Sequence, residues 1–101
     1  MSRGTETMEA QIERLEQKAR NCRDNAKAER IIADAFDAEY MRGLSGSPDA
    51  SAETHKRSME LYDFVIKGRH RARNFEADAE LFEECVLMFR AALARATGAT
   101  S

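Results

Sequence analysis

The sequence holds few residues that interrupt a helix. Its 101 residues include one proline and five glycines, and it has no tryptophan. So few prolines and glycines are typical of helical proteins and argue against a sandwich of short strands or a disordered tail. The length allows one domain, which we place at residues 1–101.

Neither a charge excess of one sign nor a long apolar run is present. The 16 basic and 18 acidic side chains leave a net charge of −2, so nothing draws the chain as a whole to nucleic acid or to an anionic membrane. No apolar run approaches the length that spans a bilayer, and the first ten residues lack the apolar core of a signal peptide. We therefore expect a soluble, cytoplasmic protein without membrane contact, in which Cys22 and Cys85 are reduced packing residues.

The strongest break in the sequence is RGLSGSPDAS, at residues 42–51. Gly43 or Gly46 can end a helix by adopting a left-handed conformation. Ser47 can cap the next helix, with Pro48 at its first position. The break therefore separates two helical segments.

Apolar or small residues recur at alternating steps of four and three on both sides of this break. We call the two series the seam. In the first segment the seam residues are Met8, Ile12, Leu15, Ala19, Cys22, Ala26, Glu29, Ala33, Phe36, Tyr40 and Gly43. In the second they are Thr54, Ser58, Leu61, Val65, Gly68, Ala72, Phe75, Ala79, Phe82, Val86, Phe89, Leu93 and Ala96. Sustained spacing of this kind is typical of helices that pack side by side along their length.

The pattern predicts an all-α fold, a long antiparallel helical hairpin. We place helices near residues 6–43 and 48–96, an inter-helix turn at 44–47, and frayed tails at 1–5 and 97–101. The short turn makes the two helices antiparallel neighbours. Residue i of the first helix should then face roughly residue 98 − i of the second.

Many apolar residues lie off the seam, where a two-helix hairpin cannot cover them. The candidates for a partner or dimer interface are Ile31, Ile32, Met41, Met59, Phe64, Leu81, Cys85 and Met88. Left bare, these side chains would form an exposed patch. We therefore expect the hairpin to associate with a copy of itself as a homodimeric four-helix bundle. A different protein that fills the same face is the competing possibility.

The stretch IKGRHRAR places Gly68 in the seam, so we interpret it as helix rather than as a phosphate-binding loop. Gly68 should face Glu29, the one charged residue in the first seam series. A carboxylate there needs a partner of opposite charge. The basic residues within reach are Arg30, Arg69, His70 and Arg71. We predict a polar layer in which Gly68 makes room for the carboxylate of Glu29 and an arginine, taken as Arg69, answers its charge.

The same stretch offers a second interpretation, a basic patch that contacts nucleic acid. The candidate residues are Lys67, Arg69, His70, Arg71 and Arg73. Such groups can contact phosphates. Glu76, Asp78 and Glu80 lie one to two turns away, however, and no recognised nucleic-acid-binding motif is present. A solvated or salt-bridged helix face is therefore the favoured interpretation.

No metal, cofactor or catalytic site is predicted. The histidines and cysteines lack the spacing of metal ligands, and no nucleophile stands beside a base in a recognisable pattern. The function that remains is a non-enzymatic protein–protein interaction module, an adaptor, chaperone-like binder or small inhibitor acting through helix faces. Its partners would be itself and another protein. The alternative is a nucleic-acid-associated regulatory protein that uses residues 67–73.

Overall fold

Two long α-helices make up the fold in the computed structural model. The structure describes residues 3–46 and 52–98, and their side chains from 7 to 43 and from 53 to 98. Helix α1 spans Arg3–Gly46 and helix α2 spans Ala52–Ala96. No strand occurs within the described ranges. The helices pack against each other as a hairpin, which confirms the all-α hairpin predicted from the seam.

Helix α1 is longer at both ends than the sequence predicted. It begins at Arg3, and it continues through Gly43 to Gly46, so most of the expected inter-helix turn is helical. Gly43 stays in the helix because glycine accepts the right-handed conformation as readily as the left-handed one. The expected cap at Ser47 and Pro48 lies outside the described residues.

The end of α2 is a hydrogen-bonded turn where the sequence predicted only a frayed tail. The amide of Thr97 donates to the carbonyl of Leu93 at 3.0 Å, and the amide of Gly98 donates to the carbonyl of Arg95 at 3.2 Å. Gly98 has a φ of 73°. A left-handed glycine just after the last helical turn is a common way to satisfy terminal carbonyl groups.

The chain forms two compact units, each containing a segment of both helices. The terminal unit consists of Met1–Asp24 and Phe75–Ser101, and the central unit consists of Asn25–Asn74. Each unit has its own line of buried side chains at seven-residue spacing. In the terminal unit the buried side chains are Ile12, Ala19, Ala79 and Val86. In the central unit they are Ala26, Ala33, Val65 and Ala72.

These cores are built mainly from alanine, which lets two helix backbones approach closely but buries little apolar volume. Val65 is the largest side chain in the described residues that is fully buried. The alternate seam positions, such as Leu15, Phe36, Phe75 and Phe82, are only half-buried. They lie about 60° around the helix from the buried line, so one side of each ring or chain remains open.

The axial register differs from the predicted one by a few residues. Phe36 should face Tyr62, but its ring stacks on Phe64 with centroids 5.2 Å apart. Tyr40 instead packs against Tyr62, at 5.6 Å between centroids. Seam spacing leaves the offset along the axis loosely specified, because a slide of a few residues still brings apolar groups together. The observed offset is one that brings the rings of Phe36 and Phe64, and of Tyr40 and Tyr62, into contact.

Candidate functional site

Glu29 is the one charged residue of the first seam series, and it pairs with an arginine of α2. Its Oε2 lies 3.1 Å from Nη2 of Arg71, and its side chain is 23% exposed. Oε2 is buried and accepts no hydrogen bond from any described group. The two groups are therefore close enough to attract each other by charge, but their geometry does not meet the angular requirement of a hydrogen bond. Arg71 supplies the opposite charge that a carboxylate in an apolar seam requires.

Gly68 is buried beside this pair, but it does not make room for the carboxylate. A Cβ placed on Gly68 would lie 3.3 Å from Cβ of Ala33, 3.7 Å from the backbone oxygen of Glu29 and 3.8 Å from Nη2 of Arg71. The glycine therefore allows the backbones of α1 and α2 to approach closely. The predicted role of Gly68 is corrected accordingly: it accommodates Ala33 and the main chain of Glu29.

Arg69 was predicted to form an ion pair with Glu29, but it lies on the other side of the seam. Its Nη2 is 3.3 Å from Oδ1 of Asp34 and 3.2 Å from Oδ2 of Asp37. Successive residues of a helix are about 100° apart, so Arg69 and Arg71 leave α2 on opposite sides of Gly68. That rotation, rather than distance along the chain, decides which arginine reaches Glu29.

The basic stretch 67–73 is largely paired with carboxylates in the same unit. Lys67 contacts Asp63 at 2.8 Å, in addition to the pairs made by Arg69 and Arg71. His70 and Arg73 are exposed and form no ion pair among the residues that the structure describes. Only part of the predicted basic patch is therefore open to bind an anionic partner.

Large apolar side chains stand open on both helices of the central unit. Five of the predicted interface residues are each between 50% and 60% exposed: Ile31, Ile32, Met41, Met59 and Phe64. Tyr62 and Ile66 are exposed as well. Stacking of Phe36 on Phe64 covers one face of the Phe64 ring and leaves the rest of that side chain accessible. The central unit therefore presents apolar surface outside its own core.

The terminal unit exposes a comparable set, nearly all of it on α2. Met88 is 70% exposed and Leu81 is 58% exposed, whereas Cys85 between them is half-buried. Leu87 and Phe89 are also exposed. On α1 the ammonium group of Lys18 lies over the ring of Phe82, 5.7 Å from its centroid, and shields part of it.

Ion pairs connect the two helices along one flank of the terminal unit. Arg23 donates two hydrogen bonds to Glu83, at 3.1 Å from Nε and 2.7 Å from Nη2. Arg90 donates one hydrogen bond, from Nη2 to Oε2 of Glu16, across the same seam. The hydrogen bonds from Arg23 hold the pKa of Glu83 below its ordinary value, and the same bonds raise the pKa of Arg23.

These inter-helix pairs were not predicted, although the sequence carries a signal for them. Glu16 and Arg23 each follow a buried residue of α1 by four positions, and Glu83 and Arg90 do the same on α2. Charges of opposite sign at this spacing flank a helical seam and set the pairing and orientation of the helices. The terminal unit also has an open groove of about 540 Å³ beside this flank, lined in part by Arg23, Glu83 and Leu87.

Within residues 3–46 and 52–98, no three histidine, cysteine, aspartate or glutamate side chains are grouped so that they could hold a metal ion. Over the same ranges, neither helix combines the length and the apolar character needed to cross a bilayer. Comparison with known proteins finds no matching family model, no matching curated protein and no matching solved structure. The fold defines the class, an all-α two-helix hairpin, and the function is inferred from its exposed faces.

Proposed function

We propose that the chain is a non-enzymatic protein-binding module, an adaptor, chaperone-like binder or small inhibitor, that docks on other proteins through its helix faces. The supporting observation is the set of large apolar side chains left open in each unit, such as Ile31 and Phe64 in one and Leu81 and Met88 in the other. Exposed apolar patches commonly mark interaction sites. A cytoplasmic location, expected from the sequence, is part of the same proposal.

Self-association as a homodimeric four-helix bundle also belongs to the proposal. It is supported by the large apolar side chains that each unit leaves exposed, such as Met59 and Phe64 in the central unit and Leu81 and Met88 in the terminal unit. A second copy of the chain would cover such surface in a closed twofold arrangement.

The basic stretch offers a weaker alternative, a nucleic-acid-associated function. Carboxylates of the same unit already neutralise Lys67, Arg69 and Arg71. His70 and Arg73 remain to contact a phosphate backbone, and few phosphate contacts give weak binding with a shallow dependence on salt.

Two matched variants separate the protein-binding function from the nucleic-acid alternative. One replaces Ile31 and Ile32 with glutamine, and the other replaces His70 and Arg73 with glutamine. All four side chains are exposed and helical, and glutamine is a good helix former, so both variants should fold. A third variant, Met88→Gln, makes the apolar face of the terminal unit polar, as the Ile31/Ile32 variant does for the central unit. Each chain is tagged and used to capture proteins from a lysate of the native host. Binding to duplex and single-stranded nucleic acid is measured at low and moderate salt.

The proposal predicts that one specific protein is recovered by the parent chain and by the His70/Arg73 variant. Recovery should fall by about tenfold when an apolar face in contact with that protein is made polar. A tenfold change corresponds to a loss of about 1.4 kcal/mol of binding free energy. Recovery of no specific protein, together with salt-dependent nucleic-acid binding that requires His70 and Arg73, would establish the alternative instead.

A further inference from the structure

Helix α2 carries a second apolar line in the terminal unit, separate from the one that faces α1. We call it the α2 stripe and define it as Leu81, Cys85, Met88 and Ala92. Its steps of four, three and four residues repeat the spacing of a helix-packing seam. Leu81 is 58% exposed and Met88 is 70% exposed, and Cys85 and Ala92 are half-buried. The stripe therefore has the geometry of a contact with another helix that the hairpin itself does not provide.

Both ends of the α2 stripe carry a charge, and the two charges have opposite signs. Asp78 precedes Leu81 by three residues, and Arg95 follows Ala92 by three residues, so both charges continue the line of the stripe. Both residues are exposed. Neither side chain forms an ion pair among the residues that the structure describes. An acidic group thus lies at one end of the line and a basic group at the other.

We propose that the α2 stripe binds the α2 stripe of a second copy of this chain, with the two helices antiparallel. A twofold axis between Cys85 and Met88 brings Cys85 of each copy against Met88 of the other. The same axis sets Leu81 against Ala92, a large side chain against a small one. It also sets Asp78 of each copy against Arg95 of the other. A twofold interface must be self-complementary, and this arrangement of sizes and charges meets that requirement.

A parallel arrangement of the same two stripes would be disfavoured by charge. It would place Asp78 beside Asp78 and Arg95 beside Arg95, which repel one another. The inference rests on the proposed self-association and specifies which surface carries it. Other exposed faces, including that of Ile31 and Ile32, stay available for a different protein.

Reversal of the two end charges tests this pairing. Asp78→Arg and Arg95→Asp are made singly and together, and the dimer dissociation constant is measured by sedimentation equilibrium. Each single change sets like charges against each other at both ends of the interface and should raise the dissociation constant about tenfold. The double variant restores opposite charges and should return to within about threefold of the parent value.

The two single variants shift the net charge of the chain in opposite directions, so a general charge effect cannot weaken both. Glu80→Arg is a matched control for Asp78→Arg, because it makes the same charge change about 200° around α2. It should leave the dissociation constant within about twofold of the parent value. Circular dichroism checks that every variant keeps its helix content.

Cross-linking then tests the register of the stripes. In Met88→Cys the new thiol should face Cys85 of the second copy, and oxidised glutathione should give a covalent dimer with an 85–88 linkage in peptide mapping. Leu87→Cys is the control, because Leu87 is also strongly exposed but points about 100° away around the helix. Equal cross-linking of the two variants would overturn the proposed register.

The possible failures are distinguishable. If all three charge variants dimerise with the dissociation constant of the parent chain, the stripe pairing is overturned but self-association stands. A folded chain that stays monomeric and captures another protein through Met88 would overturn the choice of a second copy. A folded monomer that captures no protein at all would overturn the proposed function together with this inference.

Discussion

Replacing Gly68 with alanine measures how closely α1 and α2 approach in the central unit. Alanine is favoured over glycine by about 1 kcal/mol inside a helix, so the change would stabilise an open position. At Gly68, however, the new methyl group would stand 3.3 Å from Cβ of Ala33. Carbon atoms prefer separations of about 3.5 to 4.0 Å. Cβ of Ala33 is fixed to its backbone, so the helices themselves must move apart.

Overpacking of this kind costs about 1 to 3 kcal/mol, which exceeds the gain in helix propensity. We therefore expect Gly68→Ala to lower the free energy of unfolding by about 1 kcal/mol. The assay is urea denaturation followed by far-ultraviolet circular dichroism, at one fixed protein concentration because the proposed self-association would contribute to the measured stability.

Gly43 provides the matched control for this prediction. It also lies in a helix, but a Cβ placed on it would meet nothing within 4 Å. Gly43→Ala should therefore raise the free energy of unfolding by about 0.5 kcal/mol. Combining Gly68→Ala with Ala33→Gly exchanges the two residues and should recover most of the loss, as a coupled pair does. Stabilisation by Gly68→Ala equal to that by Gly43→Ala would refute the close approach.

Three further changes probe single contacts. Glu29→Leu should raise the free energy of unfolding by about 1 kcal/mol, because it removes a buried oxygen that has no hydrogen bond. The same change should broaden the distribution of oligomers. A less stable variant that forms only a dimer would contradict the predicted role of Glu29. The pKa of Glu83 lies below its ordinary value of 4.5 because Arg23 donates hydrogen bonds to the carboxylate, so this pair should stabilise the fold above pH 4.5 and cease to do so as the pH falls through the folded-state pKa. A carboxyl NMR titration should show the low pKa in the parent and an ordinary one in Arg23→Gln; an unchanged pKa would refute the assignment. Phe64→Ala should lower the free energy of unfolding by about 1 kcal/mol through loss of the stack on Phe36, and urea denaturation no different from the parent would show that the stack contributes nothing.

The fold was predictable because seam spacing depends only on the period of a helix. Residues such as Ile12, Ala19 and Ala33 repeat at intervals that place them on one face, and that face is buried. The helix ends were less predictable. A glycine can stay in a helix, as Gly43 does, or cap one, as Gly98 does, and the residue type alone does not decide between these outcomes.

The partners of charged side chains were harder to predict than the fold. Arg69 and Arg71 are two residues apart, and only their rotation around α2 sends one to Asp37 and the other to Glu29. That choice depends on a rotation of about 200° between them and on the axial register. The apolar spacing leaves the register open by a few residues, so the arginine opposite Glu29 could not be assigned from the pattern.

The most direct test of the proposed self-association is the mass of the full chain in solution. Sedimentation equilibrium at micromolar concentration, with helix content checked by circular dichroism, reports whether the exposed apolar faces associate. We predict a helical species of twice the 11.4 kDa chain mass. A folded, helical monomer of 11.4 kDa across the micromolar range would contradict the proposed self-association.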